Sequence, residues 1–154
     1  KDREIRVELF STTGADLGKT KHRDIAELLA ESAPPLLAAD IVEVMRETGF
    51  SNVVLGNGEE SAASSPYLLS GRFTVLNPGS QAARAWIGFG AGESRVCVEG
   101  RLADGSDTTL GTFSHCRKGL GWGKSDNQVE ASATRIGDSI ALFMLEWANG
   151  EFAR

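Results

Sequence analysis

Two alternating segments in the second half of the chain constrain its fold more than any other feature. Residues 94–103 alternate apolar with charged or small side chains, and residues 108–117 return after the turn-forming run DGSD at 104–107. Alternation is the pattern of a strand with one buried face, and two such strands joined by a short turn form a hairpin. The sequence therefore predicts an antiparallel β-hairpin here.

Other segments add strands and helices to this hairpin. The last helix is predicted from about residue 126 to 148, capped by Ser125 or Asp126, because its apolar residues recur at helical spacing. Alternating or short apolar runs predict further strands at 3–10, 52–55, 67–76 and 82–90.

Residues 21–48 have helical spacing but contain Pro34 and Pro35. Proline in a helix interior costs about 3 kcal/mol, whereas it is tolerated in the first turn. We therefore predict two helices, the second capped by Ser32. Gly49 is predicted to end it in the left-handed conformation, with Phe50 folding back on the last turn.

The predicted element order is β-α-α-β-β-β-β-β-α. This order predicts an α+β fold in a single domain spanning 1–154. We expect a mainly antiparallel sheet of five to six strands, with the helices packed on one face. The chain has 154 residues, of which 41% are apolar and 24% charged. That composition is typical of a folded domain and excludes a disordered, collagen-like or coiled-coil chain.

Charge and hydropathy argue against nucleic-acid binding and against a membrane-spanning segment. Sixteen basic against 21 acidic residues give a net charge of −5 without a basic stripe. Nucleic acid is therefore not an expected partner. No apolar stretch in the sequence is long enough to span a membrane.

Two glycine-rich segments resemble nucleotide-binding motifs without matching them. Residues 14–20 (GADLGKT) have one residue too few between the glycines for a phosphate-binding loop. Residues 88–92 (GFGAG) lead into a predicted strand, whereas a dinucleotide fingerprint opens a helix. We therefore expect no cofactor.

Catalytic and metal-binding patterns are sparse. His115 is next to Cys116, but neighbours on a strand point to opposite faces, so a nucleophilic pair is not predicted. His22 is expected to be solvated at a helix start. We predict no catalytic residue and no metal site.

Cys97 and Cys116 fall on the two strands of the hairpin. If the turn is centred between Ser106 and Asp107, paired residues have numbers that sum to 213, and the cysteines lie opposite each other. In a non-hydrogen-bonded pair they are close enough for a disulfide, which is typical of an oxidising compartment. A register shift of two residues separates them, so both arrangements remain open.

Trp122 and Lys124 belong to a glycine-rich loop at 118–124. Tryptophan is favoured at protein interfaces, which makes this loop a candidate contact with a partner or a membrane surface. The alternative is that Trp122 folds back and covers its own core.

A group of motifs between Tyr67 and Arg101 resembles a known family. They are a Leu-x-Gly strand at 69–71, a Pro-Gly-Ser turn at 78–80, Arg84, and the GFGAG segment at 88–92, followed by an alternating strand. Together they resemble the bacterial envelope proteins of domain-of-unknown-function family 4410. The preceding strand and helix and the closing helix also fit.

This resemblance implies a secreted protein or lipoprotein of the periplasm or outer membrane, anchored by a lipid on an N-terminal cysteine. The chain starts at Lys1 without that cysteine, so we expect an upstream signal sequence to have been removed. The family has no established activity, so no catalytic residue is carried over. Its shape is similar to small α+β domains of periplasmic assembly proteins, including the periplasmic part of the curli secretion pore, which is an analogy of fold alone.

We therefore expect a non-enzymatic adaptor or assembly factor whose partners are other envelope proteins. Membrane attachment is expected only through the N-terminal lipid. Any exposed strand edge is a further candidate surface, because it is able to accept a strand from another chain. The candidate contact residues are Arg84, Phe89, Gly90, Trp122 and Lys124.

A different class of function is kept as the alternative hypothesis. It is a small-molecule-binding domain or an enzyme with a site near His115 or under the loop at 59–66.

Overall fold

The computed structural model describes residues 3–18, 23–56, 67–77, 95–118 and 125–150. Within these residues the chain forms a five-stranded sheet and two helices. The elements are β1 (Ile5–Val7), α1 (Arg23–Glu47), β2 (Val53–Leu55), β3 (Tyr67–Asn77), β4 (Arg95–Asp104), β5 (Thr109–Lys118) and α2 (Ser125–Ala148).

The sheet has the strand order β2-β1-β3-β4-β5. β1 is parallel to both β2 and β3, whereas β3, β4 and β5 are antiparallel neighbours. Both helices contact the sheet and each other, so they cover the same face. The α+β class and the packing of the helices on one face are thus confirmed, and the predicted strand at 82–90 lies outside the described residues.

The sheet is mixed rather than mainly antiparallel, which corrects the prediction. The reason is the connection between β1 and β2, which passes through the whole of α1. A strand that follows a helical crossover returns in the same direction as the strand before it. The first half of the fold is therefore a parallel βαβ unit, and the second half is an antiparallel meander.

The expected break in the first helix is also wrong, because α1 is continuous and Pro34 and Pro35 lie inside it. The two prolines remove two helical hydrogen bonds. Pro34 is half-buried and Pro35 is exposed, while Ala33 before them and Leu37 after them are buried. Burial of one continuous apolar face on both sides of the prolines offsets the lost hydrogen bonds.

The end of α1 is as predicted. Gly49 has a φ of 104°, and its amide donates to the Arg46 carbonyl at 3.2 Å. The Phe50 amide donates to the Met45 carbonyl at 3.1 Å, and the Phe50 ring is buried. This pair of hydrogen bonds is a Schellman motif, and glycine is favoured there because it adopts positive φ without strain.

The core lies between the helices and the sheet. Apolar residues at the predicted strand and helix spacing are buried, except that Trp147 is partly buried: the buried ones are Val96, Val98 and Leu102 of β4 and Ile136, Ile140 and Phe143 of α2. The largest fully buried side chains are Phe10, Phe50, Phe73, Ile5, Leu37, Ile41, Met45, Leu69, Leu76, Leu102, Ile136 and Ile140.

Two irregularities shift the predicted alternation. Between Phe73 and Val75 the β3–β4 register slips by one residue, so Leu76 enters the core in place of Val75. After β1 the chain carries an extra residue before it next pairs with β3, which leaves Leu9 52% exposed and buries Phe10. A bulge changes which face the following side chains occupy.

Two further side chains differ from the sequence expectation. Strand alternation predicts that Arg6, between Ile5 and Val7, faces solvent, but it is only 5% exposed and forms an ion pair with Glu4 at 3.5 Å. Helical spacing predicts that Leu28 of the first helix is buried, but it is 67% exposed.

Candidate interaction surface

The outer edge of β5 is the end of the sheet in the described part of the chain. There β5 pairs with β4 alone, and the Cα atoms of Cys97 and Cys116 are 4.1 Å apart. Such a short separation marks a non-hydrogen-bonded pair, and the two kinds of pair alternate along an antiparallel ladder. The N–H and C=O groups of Thr112, Ser114 and Cys116 therefore point away from β4.

The side chains along this edge do not protect it. Thr112, Ser114 and Cys116 are all exposed, and they share the sheet face that lies opposite the helices. Natural sheet edges are commonly guarded by charged side chains, proline or short strands. Between Thr109 and Cys116 the sequence has none of these guards.

The opposite edge of the sheet is guarded. β2 is only three residues long. On either side of β2, the Asn52 carbonyl accepts a hydrogen bond from β1 and the Gly56 amide donates one to it. Because alternate residues of a strand face opposite neighbours, the Val53 carbonyl points outward. The Arg46 guanidinium donates to that carbonyl at 2.7 Å. One edge of the sheet is thus closed by a side chain of α1, whereas the other, here called the open edge, pairs with no further strand among the described residues.

A disulfide fastens β5 to β4. The sulfur atoms of Cys97 and Cys116 are 2.04 Å apart. From Arg95 to Leu102 the paired numbers sum to 213, and a bulge then shifts the register so that Ala103 pairs with Thr109. Cys97 is buried, whereas Cys116 is exposed beside the Arg95 guanidinium. The open edge is therefore covalently anchored at its C-terminal end.

His115 lies on the helix-facing side of β5. Its ring stacks on Phe113, with centroids 5.9 Å apart. Burial and the nearby Arg117 guanidinium lower the pKa of His115, so the imidazole is neutral at neutral pH. Nε2 is buried and has no hydrogen-bond partner among the described residues.

The chemistry available around His115 is limited. Cys116 is bonded to Cys97, so its sulfur is not a free nucleophile. Within the described ranges no group of three or more His, Cys, Asp and Glu side chains is placed to hold a metal ion. These residues do not form a recognisable catalytic group.

The candidate contact residues from the sequence are not placed by the structure. Arg84, Phe89, Gly90, Trp122 and Lys124 lie outside the described residues, as does the loop at 59–66.

Sequence reasoning missed a carboxyl group between the two helices. Asp40 of α1 lies directly against Gly137 of α2, where a Cβ atom would overlap the carboxylate. Its Oδ2 atom is buried and accepts no hydrogen bond from the described residues. Burial, with the neighbouring charges of Asp138, Glu43 and Glu47, raises the pKa of Asp40 to about 6. No sequence signal marks this pair, because Asp40 and Gly137 meet only through the packing of α1 on α2.

Asp40→Asn is expected to stabilise the protein by about 1 kcal/mol near pH 7 and to have almost no effect near pH 4. The folded pKa of about 6 lies above the ordinary value of 3.8. Ionised Asp40 therefore destabilises the fold at neutral pH, and this cost shrinks as the pH falls below 6 until it is gone below the ordinary pKa of 3.8. Partial exposure screens the interaction and limits its size.

Thermal unfolding of wild type and Asp40→Asn at both pH values tests this expectation. Glu27→Gln, which removes an exposed charge from the same helix, is the matched control. A stability difference that stays the same at both pH values would contradict the role assigned to Asp40.

Comparison with known proteins agrees with this architecture. The family model for a domain of unknown function (DUF4410) matches residues 5–123, so the chain belongs to that family. No curated protein matches the chain. Among the described residues no helix is long and apolar enough to cross a membrane.

Solved structures share the fold at low sequence identity. A variant of the PelC dodecamer from Paraburkholderia phytofirmans is 18% identical with a TM-score of 0.58, and a second PelC dodecamer structure is 16% identical with a TM-score of 0.57. Both alignments cover 90% of this chain and 86% of PelC. Protein XCC0632 from Xanthomonas campestris, of family model DUF330, is 10% identical with a TM-score of 0.57, covering 98% and 88%.

Proposed function

We propose that this domain is a non-enzymatic module of the bacterial cell envelope that acts through protein contacts. The open edge of β5 carries the proposal, because it presents the main-chain groups of Thr112, Ser114 and Cys116 to a neighbouring strand. Added strands gain affinity from main-chain hydrogen bonds alone. The similarity in fold to PelC, whose structures are dodecamers, supports a role in assembly.

The proposed location is the periplasm or the outer membrane. The disulfide between Cys97 and Cys116 supports it, because such bonds persist in oxidising compartments. The resemblance to envelope lipoproteins points to the same compartment.

Site-specific photocrosslinking in the native envelope tests the contact surface. A photoreactive residue at Thr112 is expected to form a discrete covalent adduct, whereas one at Glu43, exposed on α1, is not. Ser114→Pro should abolish the Thr112 adduct, because it removes one outward N–H. That amide does not bond to β4, and edge strands tolerate proline at such positions. Ser114→Ala keeps the N–H and is the matched control.

The result depends on the contrast between these variants. An adduct that persists in Ser114→Pro, or one that forms equally from Glu43, would show that the β5 edge is not the contact surface. Equal melting temperatures of the Pro and Ala variants establish that both are folded.

A small-molecule site beside His115 is the second candidate function. The buried Nε2 atom, with no hydrogen-bond partner among the described residues, is the observation that favours it. Titration of ligand libraries followed by the His115 imidazole NMR signals tests this candidate. The candidate function is supported by a ligand that shifts these signals and binds less tightly to His115→Phe, and it is contradicted if no ligand does both.

A further inference from the structure

We propose that the β5 edge pairs with the β5 edge of a second copy of this chain. The two strands run antiparallel, with Ser114 opposite Ser114 of the second copy, and join two five-stranded sheets into one. This inference rests on the proposed function, in that it takes the β5 edge to be a contact surface, and it names the partner.

The main-chain groups of the edge are complementary to themselves. Outward N–H and C=O groups recur at Thr112, Ser114 and Cys116, as the Cα separation at the disulfide shows. An antiparallel arrangement centred on Ser114 places Thr112 opposite Cys116 of the second copy. Each of the three resulting pairs exchanges two hydrogen bonds. A strand that meets its own copy in this way forms an isologous two-fold contact.

Charge favours the antiparallel direction. Arg117 is the last residue of β5 with a described side chain, and it is exposed. In the proposed register it lies opposite Gly111 of the second copy, so like charges do not meet. A parallel arrangement in register would bring Arg117 against Arg117 of the second copy, and like charges directly opposite are destabilising.

Contacts from α2 hold the helix-facing side of this edge strand. Ser139 of α2 accepts a hydrogen bond from Arg117 at 3.0 Å, and Phe143 packs on Phe113 with ring centroids 5.3 Å apart. The position of the edge strand is therefore fixed by α2 as well as by the disulfide.

The other sheet edge is a poor partner for β5. The outward Val53 carbonyl of β2 already accepts a hydrogen bond from Arg46, and β2 has only three residues. A head-to-tail chain of sheets through β2 and β5 would have to displace this guanidinium. The open edge is thus matched best by a second open edge.

Introducing a charge at Ser114, which lies on the two-fold axis of the proposed dimer, tests both the partner and the register. Ser114→Lys and Ser114→Glu each place like charges opposite each other in the homodimer, so each is expected to weaken self-association roughly tenfold or more. An equimolar mixture of the two variants should recover association, because Lys then faces Glu. Ser51→Lys adds the same charge at an exposed position before β2 and should dimerise as wild type does.

Sedimentation equilibrium of the oxidised protein over a range of concentrations gives the measurement. A wild-type dimer, two monomeric variants and a dimeric mixture would support the inference. A monomeric wild type, dimeric single variants, or a mixture that stays monomeric would overturn it.

The proposed function fails by a different result. If the wild type is monomeric while Thr112 still crosslinks a different envelope protein in a Ser114→Pro-sensitive way, the contact surface stands and the second copy does not. If the crosslink is also absent, both ideas fall.

Discussion

Replacing Gly100 by alanine is expected to lower the free energy of unfolding by about 3 kcal/mol. Gly100 of β4 lies opposite Gly71 of β3, on the face that the helices cover. A Cβ atom at Gly100 would overlap the Phe113 ring and the Ser70 carbonyl oxygen. The carbonyl is backbone held in the ladder, so relief requires the strands to move.

Gly111→Ala is the matched comparison on the neighbouring strand. Its Cβ would meet only the edge of the Phe143 ring, at 3.0 Å. A side chain moves more easily than a strand, so we expect a loss of less than about 1 kcal/mol. Denaturant unfolding of both variants measures the two losses in free energy of unfolding. Equal losses would show that β3 and β4 accommodate a methyl group at Gly100.

Removing the disulfide is expected to cost about 3 kcal/mol and to lower the melting temperature by about 6 to 12 °C. The bond joins residues 19 apart in sequence, and closing that loop reduces the entropy of the unfolded chain. The test is thermal unfolding of the double variant Cys97→Ala and Cys116→Ala. Alanine suits position 97 because that side chain is buried.

A reductant provides the control for the disulfide. It should lower the melting temperature of the wild type toward that of the double variant, and should leave the double variant unchanged. If the wild type and the double variant melted at the same temperature, the bond would contribute nothing to the stability of the hairpin.

The two predictions bear on the proposed contact surface. Gly100 allows Phe113 to pack tightly on β4, and the disulfide holds the C-terminal end of β5. Both features restrain β5, which has no second neighbour among the described strands. A rigid edge loses less conformational entropy when another strand docks on it.

Local sequence was sufficient for the hairpin and for the end of α1. The run at 104–107 turns the chain, and Asp107 adopts a positive φ of 64° there. The register at the cysteines depends in addition on a bulge between Leu102 and Ala103. Gly49 and Phe50 likewise terminate α1 through contacts within one helical turn. Both features are formed by residues close together in the chain, so turn residues and strand alternation are enough to predict them.

The sequence predicted the type of contact surface, a strand edge, but not its position. An exposed strand edge was expected to accept another chain, but the sequence does not reveal which strand lies at the edge. That depends on strand order, and Arg46 guards β2 only because α1 crosses back over it. Ser114 carries no sequence signal of its own, since its role follows from a register and an edge position.

By itself the sequence determined the α+β class, the hairpin of β4 and β5 and the glycine end of α1, because each depends on short-range pattern. Only the tertiary structure decided that β1 lies in parallel between β2 and β3, and that α1 passes unbroken through Pro34 and Pro35. It also decided that Asp40 lies against Gly137. These outcomes depend on burial against residues far away in the chain, and that burial outweighs local preference.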